Sequence, residues 1–475
     1  MEVPAVGSFF NRFISTRHLI VVLGFTGIAI VQGLMICLPI AMLSTRYWMT
    51  LIDSNRFLRP YERHNSTSDW NMEQLGIVYS SYFCGHLLST QLTGLSRITR
   101  AQFSPKWVMF FSVTTAIVCT LLTPLTADCH YYLLAVLRFI MGVAGGITLP
   151  MLKVMLSKWT LPDDRSKMRK LFHKSTLLGF VVYILLSAFA SSDIGGVGFE
   201  WFFYIVGGLS LIWCLFWVVW AQDSAQQQPF ISPVERELIV TALENDQYVS
   251  KEDVPWQDVI SSKPFLAILV ADVCCNWGLY MLLFQLPIYM LYDLFGTIEI
   301  SIIISMSLLG SWLFNLGLSK MLNRMEKKEI ISKLCARKIA TAMGTVLTAI
   351  LLLMLVFSAQ TWNIWLILIV LIMISTGGMY YGFYSNYYDI APNYADKLTD
   401  VTETIAIIPR ILVPLFIAGT TYEYCKICSL AVTFCITAVI YLIAFIVYCV
   451  YASVEEQPWN KINEKDAANT ATLMT

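Results

Sequence analysis

The chain is predicted to be an all-α membrane protein, with twelve transmembrane helices arranged as two six-helix halves. Three observations carry this reading. Apolar segments of about twenty residues, the length that crosses ~30 Å of hydrocarbon, follow one another along nearly all of the 475 residues. They start near His18, Gln74, Trp107, Tyr131, Leu171, Trp201, Pro264, Ser301, Ile339, Ile364, Val401 and Ile427. The composition is 57% hydrophobic and only 13% charged, about half the charge fraction of a soluble domain. One long polar connection divides six segments from six. In hydrocarbon every backbone N–H and C=O has to be paired within its own segment, so the segments read as helices.

Taken in order, polar residues run to His18 and a full-length span follows with no small-residue cleavage site, so the N-terminus is not a cleavable signal. Residues 1–220 form the first six-helix half. The loop after span 1 is the longest loop on its side and contains Asn65-Ser66-Thr67, a glycosylation sequon, so Asn65 is expected to carry a glycan. Residues 221–263 form an acidic, polar linker. Its Ser232-Pro233-Val234-Glu235 reads as a capping box with proline at the first helical position, which predicts a short surface helix over 233–244. Residues 264–452 form the second half and 453–475 a polar tail.

Lysine and arginine place the sides. Lys158, Arg165, Lys167, Arg169 and Lys170 after span 4, and Lys320, Arg324, Lys327, Lys328, Lys333, Arg337 and Lys338 between spans 8 and 9, fall on the side of the N-terminus; Arg46, Arg56, Arg59, Arg63 and Lys426 fall opposite. The positive-inside rule then makes both tails and the linker cytoplasmic.

Net charge is zero, which argues against a nucleic-acid partner. The twelve cysteines lie mostly inside spans, where the thiol behaves as a small hydrophobe. Cys425 and Cys428 form a C-x-x-C with no second pair beside it, which is weak as a metal site. Nothing resembles a nucleotide-binding loop, a metal cluster or a catalytic triad, so no enzyme, cofactor or metal is expected. Six spans plus six with a polar linker is the layout of transporters built from two pseudo-symmetric halves with a substrate site between them at the midplane; a multi-span receptor or scaffold is the alternative.

Several stretches resemble the anion–cation symporter family of the major facilitator superfamily, which includes sialin, the vesicular glutamate transporters and the type I sodium–phosphate cotransporters. Span 2 carries Ser80-Ser81-Tyr82-Phe83-Cys84-Gly85-His86-Leu87-Leu88-Ser89-Thr90-Gln91, similar to S-S-F-F-x-G-Y-x-x-T-Q. Span 4 and its exit hold Arg138, Gly142, Gly146, Pro150, Lys158-Trp159, Pro162 and Arg165-Ser166 at the family's spacing. Span 6 runs through Phe203-Tyr204 and Gly207 to Ile231-Ser232, and span 7 has Asn276-Trp277. After span 10, Asn386-Tyr387-Tyr388-Asp389-Ile390-Ala391-Pro392-Asn393-Tyr394-Ala395 resembles N-H-x-D-I-A-P-x-Y-A. The match covers both halves, in order.

The resemblance implies a twelve-helix major facilitator bundle that works by alternating access. It implies Arg138 as an anion-binding residue, and a small anionic substrate with H+ or Na+ as a possible coupled ion. The departures matter as much. Met35 stands where the family has an arginine in span 1. Gly145 stands at its span-4 glutamate, and Lys153 and Tyr387 at two of its histidines.

Charges inside a span cost about 2.5 kcal/mol or more at its centre, so each is a functional candidate. Arg138 offers a planar fork suited to a carboxylate or phosphate; its alternative role is pairing with a polar group on a neighbouring helix. Asp272 lies about eight residues into span 7, near mid-membrane by the helical rise. It is a candidate proton carrier in place of the acid lost at Gly145, or one arm of a salt bridge. Arg410, deep in span 11 beside Pro409, has Glu403 two turns earlier on the same face. It reads either as a second anion contact or as the partner of Asp272 or Glu403.

Glu403 and His86 are further ion-coupling candidates, the histidine because it titrates near neutral pH, although a structural hydrogen bond would explain it too. Tyr79, Asn276, Tyr280, Asn386 and Tyr387 are neutral polar groups suited to lining a substrate cavity. The function this supports is secondary active transport of a small organic or inorganic anion of the phosphate, sialic acid or acidic amino acid class. An uncoupled facilitator or exchanger, and a transport-inactive binding or sensing protein, are the alternatives. Neither tail shows an acidic dileucine signal, which points to the plasma membrane over a lysosomal or vesicle membrane.

Overall fold

The structure, a computed structural model, describes residues 15–54, 71–95, 104–161, 165–190, 199–244, 254–292, 297–358, 362–423 and 426–460. Asn65 and Cys425 lie outside the described residues. Among the described residues all regular structure is helical, as the composition and segment lengths require. In chain order the helices are α1 (Thr16–Ser54), α2 (Met72–Leu95), α3 (Pro105–Cys129), α4 (Tyr131–Ser157), α5 (Arg165–Ala190), α6 (Phe199–Trp220), α7 (Pro233–Glu244), α8 (Trp256–Ser261) and α9 (Lys263–Tyr292). They continue with α10 (Thr297–Lys327), α11 (Lys333–Phe357), α12 (Trp362–Ser375), α13 (Gly378–Tyr381), α14 (Phe383–Ile390), α15 (Ala395–Ile405), α16 (Ile407–Glu423) and α17 (Lys426–Tyr451).

Ten of the twelve predicted spans are long and apolar enough to cross a membrane by length and composition. The other two are α2 and α5. In α2 the run of Ser80, Ser81, His86, Ser89, Thr90 and Gln91 dilutes the apolar residues. In α5 the stretch Ser175–Ser187 is an apolar helix shorter than a full span, and the sequence before it is the basic run from Arg165 to Lys174.

The chain forms two compact units, the first made of Met1–Val249, Phe284–Met306 and Ile411–Glu423, the second of Ser250–Leu283, Ser307–Arg410 and Tyr424–Thr475. In the first unit α2 and α4 pack backbone against backbone. A Cβ on Gly142 would strike the carbonyl oxygen of Tyr82, and one on Gly85 the carbonyl oxygen of Phe139, so only glycine lets these helices approach this closely. Trp213 donates from Nε1 to the carbonyl of Leu23 at 2.9 Å, and Trp217 to that of Lys106 at 3.1 Å.

The linker begins as part of this unit. Asp223 accepts the hydroxyl of Ser104 and the N–H of Lys106 at 2.7 Å, which caps the start of α3 with a carboxylate where the helix dipole favours one. The predicted surface helix is α7, with the expected limits. Only half of the predicted capping box forms. Ser232 Oγ accepts from the N–H of Glu235 at 3.2 Å, but the Glu235 carboxylate turns to the N–H groups of Thr16 (3.2 Å) and Arg17 (3.1 Å). It caps α1 instead of its own helix, because those N–H groups have no helical acceptor of their own.

In the second unit the predicted span 10 is broken into α12, α13 and α14. Gly377 packs on the carbonyl of Ser311, and Gly378 on the backbone of Ala340 and Gly344, close approaches that a side chain would forbid. The predicted span 11 is likewise broken, into α15 and α16. Pro409 has no N–H to give the carbonyl of Ile405, and the helix lapses at Ala406, whose N–H returns to Thr402 at 2.8 Å. The residues after α17 fold back along this unit: Gln457 donates its N–H to the carbonyl of Ile390 at 2.9 Å. The buried Asn460 accepts from the N–H of Asn393 at 3.2 Å and, at its carbonyl, from Asn393 Nδ2 at 3.0 Å.

Candidate functional site

Among the described residues four charged residues are buried: Lys106, Arg138, Asp272 and Arg337. Lys106 sits at the start of α3 beside Asp223, and Arg337 is neutralised. Its Nε donates to Asp389 at 2.8 Å and Nη1 to the carbonyl of Tyr381 at 2.7 Å; its guanidinium lies 4.5 Å from the Tyr381 ring centre, and the half-exposed Lys333 reaches the same carboxylate at 2.7 Å. Arg138 and Asp272 have no such arrangement.

Arg138 is 3% exposed, two turns into α4. Its Nη1 has only the carbonyl oxygen of Leu34 at 3.5 Å and the sulfur of Met141 at 3.6 Å, and its Nε has no partner. The groups within electrostatic reach are Cys37, Cys119, Tyr79 and Tyr82. Among the described residues no carboxylate forms an ion pair with it. An uncompensated buried guanidinium is strongly unfavourable unless a ligand supplies the missing charge. Tyr79 stacks on Phe284 with ring centres 5.6 Å apart, so one wall of this region is aromatic. The place where a Gly145 side chain would begin lies 2.6 Å from the Tyr82 hydroxyl, so a phenol fills the space at this position. Met35 is buried on α1 and adds no charge.

In the second unit the structure brings together Asp272, Asn276 and Tyr280 of α9 with Glu403 of α15 and Arg410 of α16. Arg410 Nε donates to Asn276 Oδ1 at 3.0 Å, and its guanidinium carbon lies 5.1 Å from the Tyr280 ring centre. Asn276 Nδ2 donates to Asp272 Oδ1 at 2.9 Å and to the Asp272 carbonyl at 3.0 Å. Asp272 is completely buried and its Oδ2 has no partner. Glu403 and Arg410 are both within electrostatic reach of it, without an ion pair to either acid. Tyr387 is fully buried near the same carboxylate.

Two of the predicted residues lie elsewhere. Asn386 turns its amide to the hydroxyl of Tyr448 at 3.0 Å. His86 packs beside the Tyr82 ring on α2, centres 6.2 Å apart. The Arg337–Asp389 pair was not among the predicted site residues. The available signal was the spacing of Lys333 and Arg337, one turn apart on one helix face, with an acid in the motif after span 10.

Comparison with known proteins fits this architecture. The Major Facilitator Superfamily model matches residues 22–414. Sialin of Homo sapiens is 30% identical over 457 residues, spanning 94% of this chain and 91% of sialin. Vesicular glutamate transporter 2 of Bos taurus is 26% identical over 451 residues, spanning 93% of this chain and 75% of that one. The inward-open structure of the xylose transporter XylE from E. coli matches with a TM-score of 0.63, at 12% identity, over 93% of this chain and 98% of that one, which bears on the fold alone. The chain belongs to the Major Facilitator Superfamily, as a divergent member of its anion–cation symporter family.

Proposed function

We propose that this protein is a secondary active transporter of a small organic or inorganic anion, of the phosphate, sialic acid or acidic amino acid class, working by alternating access with a coupled cation. The observation that carries the reading is Arg138, a buried cation that no acid among the described residues pairs with, and whose Nε is unpartnered. A guanidinium left in this condition is complementary to a bound carboxylate or phosphate, which would form charge-assisted hydrogen bonds in place of the long contacts to Leu34 and Met141. Tyr79 lines the same anion site. The relatives include sialin and vesicular glutamate transporter 2, and the name of the second is that of an anion transporter.

A second reading, an uncoupled facilitator or exchanger, draws support from the first unit alone. Gly145 and Met35 supply neither an acid nor a second cation there, and the Tyr82 hydroxyl occupies the space a Gly145 side chain would need. Both tails are proposed to be cytoplasmic and Asn65 glycosylated, on the strength of the positive-inside bias; a glycosidase-sensitive mobility shift lost in Asn65→Gln checks both. The vesicular name of the glutamate transporters among the relatives favours an internal membrane over the plasma membrane expected from the sequence; surface biotinylation separates the two.

The test of function is uptake of labelled phosphate, sialic acid and glutamate into proteoliposomes under imposed pH or sodium gradients. Gradient-driven accumulation of one of these anions is the expected result. Exchange without accumulation would favour the uncoupled reading, and no movement of any would contradict transport of this class.

A further inference from the structure

We infer that the second unit contains a site for a single coupling proton, formed by the carboxylates of Asp272 and Glu403, with Oδ2 of Asp272 as the atom that receives it and Arg410 as its fixed counter-charge. The inference rests on the transport reading above and gives it a coupling ion and a location.

Hydrogen-bond logic identifies the atom. Arginine can only donate, so the Asn276 group that meets Arg410 Nε at 3.0 Å has to be the amide oxygen. That fixes the orientation of the amide, and its nitrogen then faces Asp272, donating to Oδ1 at 2.9 Å. Oδ1 is thereby held as an acceptor. The carboxylate has one oxygen left, Oδ2, which is completely buried and without a partner. A buried orphan oxygen carrying charge is costly, and the same oxygen bearing a proton is neutral and can donate.

Charge counting gives the number of protons. Two carboxylates and one guanidinium sum to one excess negative charge, and one proton brings the cluster to neutrality. Glu403, within electrostatic reach of Asp272, supplies the second negative charge in that sum. The other groups facing Asp272 do not alter the sum. Tyr384 and Tyr387 of α14 face it as phenols, and Cys275 is a thiol on its own helix.

A sodium ion fits less well. It would need several oxygen ligands, whereas Oδ1 of Asp272 already accepts an amide N–H and a guanidinium stands next along the chain of contacts. The helix break at Ala406 separates Glu403 from Arg410. The acid and the counter-charge therefore sit on different rigid segments, and a change at the break would alter their spacing and release the proton to water.

Infrared difference spectra between acid and neutral pH, taken on the purified full-length protein, read the proton without requiring a known substrate. The wild type should show one protonated-carboxyl band that is lost in Asp272→Asn, in Glu403→Gln and in the double variant, each removing the same single band. Asn276→Leu should shift the pH at which the band appears. Two independent bands, or a band that survives both single variants, would overturn the shared site, and a band that responds to sodium at fixed pH would replace the proton with a metal ion. If Asp272→Asn does not fold, Glu403→Gln alone still decides. Failure of the transport reading shows separately, as wild-type proteoliposomes that exchange none of the labelled anions.

Discussion

Arg410 reaches Asp272 through one side chain: the amide of Asn276 accepts from the arginine at 3.0 Å and donates to the aspartate at 2.9 Å. The three residues come from α9 and α16, and the amide satisfies one atom of each charged group while keeping the charges out of direct contact. Replacing Asn276 by Leu preserves its size and strands both partners. Each buried polar atom left unsatisfied costs about 1–3 kcal/mol, so Asn276→Leu should lower thermal stability in detergent clearly more than Asn276→Gln. Equal melting temperatures for the two variants would show that the bridge contributes nothing to the fold.

The pair formed by Arg337 and Asp389 makes a contrasting case. Arg337 is buried and paired to Asp389 at 2.8 Å, so Asp389→Asn leaves a buried guanidinium without its counter-charge, a loss of about 3–5 kcal/mol. Lys333 touches the same carboxylate at 2.7 Å but its side chain is 43% exposed, and a surface partner of this kind contributes about 0–1 kcal/mol. Thermal unfolding should separate the variants sharply, with Asp389→Asn strongly destabilised and Lys333→Ala near wild type.

The α2–α4 contact predicts a specific intolerance. A Cβ on Gly142 runs into the backbone of Tyr82, whereas one on Gly208 meets nothing within 4 Å. Backbone cannot yield as a side-chain tip can, so Gly142→Ala should cost about 1–3 kcal/mol or more and reduce the monodisperse fraction in size-exclusion chromatography. Gly208→Ala should elute as wild type does.

Much of this was legible in the sequence, and the losses have a common cause. The apolar lengths located the spans, and Ser232-Pro233 located α7 to the residue, because helix starts and membrane crossings are local properties of a chain. The breaks in spans 10 and 11 were not anticipated, although Gly377, Gly382 and Pro409 were there to be read; a proline or glycine in a span kinks, breaks or merely tolerates the helix according to what packs on it. Asp272, Glu403 and Arg410 were singled out because charge is rare in hydrocarbon, but the linking role of Asn276 depends on a contact across more than a hundred residues of chain. The turn of Asn386 towards Tyr448, and of Glu235 towards the start of α1, are long-range outcomes of the same kind.

The central claim is that Arg138 holds the transported anion, and the most direct test is the initial rate of labelled-anion exchange in proteoliposomes containing Arg138→Lys, compared with wild type at matched protein content. Lysine keeps the charge but loses the two-pronged donor geometry, and one charge-assisted hydrogen bond is worth about 1.5–3 kcal/mol. The account predicts a rate lowered about tenfold or more, with folding and delivery to the membrane retained. An Arg138→Lys protein that exchanges anion at the wild-type rate and with wild-type KM would contradict it, and would leave Arg138 as a structural cation.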